Sequence, residues 1–86
     1  MDQSECWRDL FMNWSPKIPR QGLIVTSAQE AIPFINFMTS RGVLLVERDR
    51  PDGSGARKVM VAFSAIQGVK LTNVLDLADH RVLGFE

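Results

Sequence analysis

One cysteine and one histidine are all that this 86-residue chain offers toward disulfide, zinc or thiol–imidazole chemistry. Cys6 has no partner for an internal disulfide, and Cys6 with His80 falls short of a four-ligand zinc site. Net charge is missing as well: ten basic and ten acidic side chains cancel, so no long-range field steers the molecule onto DNA. No apolar run approaches the roughly 18 residues of a membrane helix. The start, Met1-Asp2-Gln3-Ser4-Glu5, is acidic and polar, unlike a signal peptide. The expectation is a cytoplasmic protein with no membrane, DNA or cofactor among its partners.

Catalytic ingredients are equally scarce. A nucleophile needs an adjacent base, and acid–base work needs carboxylates with separated pKa values in a concave site. Cys6 and His80 stand at opposite ends of the sequence, Cys6 beside an apolar stripe and His80 near the end of a short helix. Gly53-Ser54-Gly55-Ala56-Arg57 lacks the Gly-Lys-Ser/Thr ending of a phosphate loop and joins two strands instead of opening a helix. The chain is therefore expected to be no enzyme.

What is present is enough apolar residue, 45%, for one small core, and a length that limits the chain to a single domain over 1–86. Trp7, Leu10, Phe11 and Trp14 share one helical stripe, which predicts a helix over 1–15, capped by Asp2 with Glu5 or by Ser4 and ended at Ser15-Pro16. From Gly22 the period falls to two. Leu23–Thr26 reads as a first strand; Ile32, Phe34, Ile35 and Phe37 read as one second strand, with Pro33 placing it on an edge or at a bulge. Val43–Arg48 is a third strand. The turn Pro51-Asp52-Gly53-Ser54-Gly55 leads to a fourth, in which Val59, Val61 and Phe63 alternate with Lys58, Met60 and Ala62. A minimal link, Ser64-Ala65, precedes a fifth strand from Ile66 to Thr72, and Asn73 with Asp76 predicts a capped helical turn in 73–86.

That element order, with Phe37-Met38-Thr39-Ser40-Arg41-Gly42-Val43-Leu44-Leu45 and Val61-Ala62-Phe63-Ser64-Ala65-Ile66, resembles the Sm-like family of small β-barrels over Gly22 to Thr72. The first segment is similar to the family's Phe-Asp-x-x-Met-Asn-Leu-Val-Leu in its phenylalanine and apolar triplet. Met38, Arg41 and Gly42 stand where the family has Asp, Met and Asn, and Ala62 and Phe63 where it has Arg and Gly. The positions that match are those that pack a barrel, and those that differ are those a typical Sm ring uses to hold RNA. The resemblance implies a mainly β fold: an N-terminal helix, a strongly bent five-stranded antiparallel sheet over 22–72 closed as a barrel, and a C-terminal helical turn. It also implies rings built through the last two strands.

Function is therefore expected to be noncatalytic binding or assembly, as a homo-oligomer joined through sheet edges. The alternative is RNA binding through Arg41 and the charged hairpin bearing Arg48, Arg50, Arg57 and Lys58. Against it, Arg41 reads equally as a solvated turn residue, and the hairpin charges as cross-strand pairs worth tenths of a kcal/mol.

Overall fold

The computed structural model describes residues 2–86. Helix α1 spans Gln3–Met12, and Asp2 is its cap, its carboxylate accepting the Glu5 amide at 2.9 Å. Six strands follow: β1 Gly22–Thr26, β2 Ala31–Phe34, β3 Asn36–Thr39, β4 Val43–Glu47, β5 Lys58–Ala62 and β6 Ile66–Leu71. They form two separate antiparallel sheets, ordered β2-β1-β6 and β3-β4-β5, and neither closes into a barrel.

This corrects the expectation of a single bent five-stranded sheet closed as a barrel. The run read as one second strand is two, divided at Ile35. Residues through Phe34 pair with β1, and from Asn36 the chain pairs with β4. At the division the Ile35 amide already donates to the Glu47 carbonyl at 2.8 Å. Side chains explain the break. Ile32, Phe34 and Phe37 are all buried, yet 34 and 37 would point to opposite faces of a continuous strand. Changing sheets between them lets both rings enter the core, where they meet edge to face at 6.0 Å.

Both sheets contribute to one core. The first supplies Ile24, Ile32, Phe34 and Ile66; the second supplies Phe37, Leu44, Val46 and Val61. Phe63, in the 3₁₀ turn Phe63–Ala65 between β5 and β6, and Phe11 of α1 close one end. Phe11 stacks on Trp14 at 5.5 Å and meets Phe37 edge to face at 5.0 Å, so half of the predicted apolar stripe is core, with Trp7 and Leu10 partly buried against it. Trp14 donates its indole N–H to the Ile18 carbonyl at 3.0 Å, which satisfies its one polar atom. Gly22 is required where β1 and β6 approach, because a Cβ there would run into the Lys70 carbonyl oxygen.

The C-terminal helical turn starts later than predicted. A 3₁₀ helix covers Leu77–Leu83, capped by Asp76 in a reciprocal pairing with Asp79. Asn73, the expected cap, instead accepts the Leu75 amide through its side chain at 3.0 Å.

Candidate functional site

In a sheet, alternate residues of an edge strand turn their N–H and C=O away from the paired strand, and these groups are the template for another chain. Two three-stranded sheets have four such edges, and the sequence covers them to different degrees.

On β2, pairing of Gly22 with Phe34 and Ile24 with Ile32, continued by the bond from the Thr26 amide to Glu30, leaves Ala31 and Pro33 facing outward. Pro33 has no N–H to offer there. On β3 the outward groups of Phe37 are both occupied. Arg20 Nη1 donates to its carbonyl at 2.9 Å, the guanidinium lying 4.3 Å over the Phe37 ring, and the Phe37 amide donates to Asn36 Oδ1 at 2.9 Å.

Among the described residues the β5 edge carries no such cover, and the β6 edge carries it at its start, where Gln3 Nε2 donates to the Ile66 carbonyl at 2.6 Å. On β5, bonds from the Arg48 amide to Arg57 and from the Phe63 amide to Gly42 fix the alternation. Val59 and Val61 face β4, and Lys58, Met60 and Ala62 present their backbone groups outward. On β6, Leu23 and Val25 bond toward Lys70 and Gly68, so Val69 and Leu71 face outward. Among the described residues no side chain hydrogen-bonds to the outward groups of these five residues.

The β5 edge is bordered by an apolar row, exposed at Met38 and Met60 and half-buried at Leu45 between them. Met38, Leu45 and Met60 lie side by side across the outer face of the second sheet, with Val43 and Ala62 in the next row. Met38 is 70% exposed and Met60 75%. The β6 edge borders a groove of about 840 Å³ between Val69 and Leu71 on one side and Leu75, Leu77, Ala78 and Phe85 on the other.

The predicted cationic residues do not converge. Arg41 lies in the β3–β4 turn, whereas Arg48, Arg50, Arg57 and Lys58 flank the opposite end of β4, whose five residues span about 16 Å at ~3.3 Å each. The cross-strand ion pairs expected in that hairpin do not form: the one ion pair among the described residues is Arg8 with Asp9 at 3.8 Å. Arg48 Nε donates to the Arg50 carbonyl at 3.0 Å instead. Asp52 organises the turn, its carboxylate accepting the Ser54 hydroxyl at 2.7 Å, the Ala56 amide at 2.8 Å and the Ser54 amide at 2.9 Å. The Ser54 hydroxyl, followed by those amides, holds the Asp52 carboxyl below the usual aspartate range.

Cys6 is an exposed free thiol. It lines a cleft of about 490 Å³ with Trp7, Leu10, Leu83 and Phe85, so the two ends of the chain meet. His80 lines the β6 groove instead, with Nδ1 3.0 Å from the Asp76 carbonyl and Nε2 3.3 Å from the Asn73 amide nitrogen. Among the described residues no three metal-ligating side chains cluster, and no helix is long and apolar enough to cross a membrane.

Sequence reasoning missed the division of edges into covered and bare. Pro33 signalled the first, but the roles of Arg20 and Asn36 depend on register, which no local pattern carries. Compared with protein-family models, curated proteins and solved structures, the chain matches none.

Proposed function

We propose that this chain is a noncatalytic assembly module, joining copies of itself by pairing β5 of one copy with β6 of the next. The observation that carries this reading is the contrast between β3, where Arg20 and Asn36 take both outward groups of Phe37, and β5, where no side chain among the described residues takes those of Lys58, Met60 or Ala62, with Val69 and Leu71 of β6 open in the same way. Bare edges belonging to different strands make a head-to-tail contact, which generates closed rings or filaments.

Size-exclusion chromatography with light scattering at micromolar concentration tests it. The wild-type chain is expected at a multiple of 9.7 kDa. Met60→Pro removes one outward amide while leaving the bonds of Val59 and Val61 to β4, and should lower the mass with the β-sheet circular dichroism retained. A wild-type chain that elutes as a 9.7 kDa monomer overturns the proposal.

One observation favours a second reading, contact with RNA phosphates: Arg48, Arg50, Arg57 and Lys58 cluster at one end of β4 without forming an ion pair to any described carboxylate. Four phosphate contacts on a single strand give a slope of about −3 in log affinity against log salt. Failure to shift short A-rich and U-rich RNAs at low salt removes this reading.

A further inference from the structure

The two bare edges restrict which side chains meet when copies join. The outward residues are Lys58, Met60 and Ala62 on β5 and Val69 and Leu71 on β6, so an antiparallel pairing sets Met60 opposite Val69 or Leu71. Every shift that keeps the backbone bonds moves the register by two residues and preserves this correspondence. Residues directly opposite one another extend their side chains on the same face. On the β6 side that face is the wall of the groove closed by Leu75, Leu77, Ala78 and Phe85.

We propose that this groove is the socket for Met60 of the neighbouring copy. The proposal rests on the assembly reading above and names the contact that would give it specificity. Met60 is 75% exposed in the single chain and Leu77, on the far wall, is 90% exposed, so both partners lack cover until a second copy arrives. An unbranched thioether suits an open groove of irregular section, and the exposed Met38 and half-buried Leu45 behind it extend the apolar contact.

Charge fits the same arrangement. Residues 14–72 hold eight of the ten basic and four of the ten acidic side chains, a net +4, and the two ends carry the balancing −4. With Met60 opposite Val69, Lys58 falls opposite Leu71, at the point where the chain runs on toward Asp76 and Asp79. The one charge of β5, that of Lys58, is thereby brought toward a segment whose Asp76, Asp79 and Glu86 outnumber its Arg81.

Disulfide trapping between two separately made proteins tests the socket. In a Cys6→Ser background, Met60→Cys on a tagged chain is mixed with Leu77→Cys on an untagged one and oxidised; Glu30→Cys replaces Met60→Cys as the control. Both groove positions are exposed, so folding is not at stake. The expected result is several-fold more tagged–untagged product for Met60 with Leu77 than for the control. If the Cys6→Ser parent is oligomeric by light scattering but the yields are equal, the socket is wrong and the assembly reading stands. Trapping dominated by Met60→Cys with itself marks a two-fold contact of β5 with β5 and also overturns the socket. A monomeric parent overturns both.

Discussion

The two edge strands of the second sheet, β3 and β5, flank the same central strand and have opposite fates. Phe37 on β3 buries its ring, and both its outward backbone groups are taken by Arg20 and Asn36. Met60 on β5 has its outward groups bare and its side chain in water. An edge left open across the sheet from one whose central residue has both outward groups occupied is a feature to be explained by a partner, since bare edges invite pairing. The contrast also shows that apolar character alone does not identify core: Phe37 and Met38 are adjacent, and only the first is inside.

Truncation separates the two edges most sharply. Phe37→Ala should cost about 3–5 kcal/mol, because it empties a site packed by Phe11, Trp14 and Phe34. Met60→Ala should change the stability of the separated chain by less than about 0.5 kcal/mol. Urea denaturation at concentrations too low for assembly reads both, and equal losses would break the comparison.

A smaller effect is expected where the β3 edge is uncovered. Arg20→Ala removes the bond to the Phe37 carbonyl and the cation–π contact, for about 1 kcal/mol. It should also add association beyond that of wild type, measured by light scattering, because β3 then offers an acceptor to a second chain.

The least effect concerns the hairpin that feeds β5. Asp52 has a folded pKa below its unfolded value, so its contribution is fully present above the unfolded value of about 3.9 and is lost as pH falls through the lower folded value. Asp52→Ala should therefore lower the melting temperature slightly at neutral pH, with the difference from wild type vanishing at strongly acid pH. A difference that grows on acidification would contradict the assigned hydrogen bonds.

Much of the local structure was legible in the sequence. Val43–Glu47 and Lys58–Ala62 lie where apolar patterning put them, and Asp2 caps the first helix. The division at Ile35 left a trace that was passed over: buried positions at 32 and 34 followed by 37 break the period of two, and such a slip marks a change of sheet. The C-terminal start was ambiguous because Asn73 and Asp76 both have capping chemistry, and only the partnership with Asp79 decides between them. Of the residues singled out from the sequence, the cations of the β4–β5 hairpin lie at one end of β4, and their separation from Arg41 follows from strand direction. The bare edges were invisible because the outward residues are set by pairing between distant segments.

Amide hydrogen exchange read residue by residue across β5 tests the assembly claim most directly, because the strand contains its own control. Val59 and Val61 bond to β4 in any state and should exchange slowly. At micromolar concentration the Met60 and Ala62 amides are expected to be slow as well, and to become fast on dilution or in Met38→Glu with Met60→Glu. Fast exchange at Met60 and Ala62 in the concentrated protein, with Val59 and Val61 still protected, would mean that no neighbour occupies this edge.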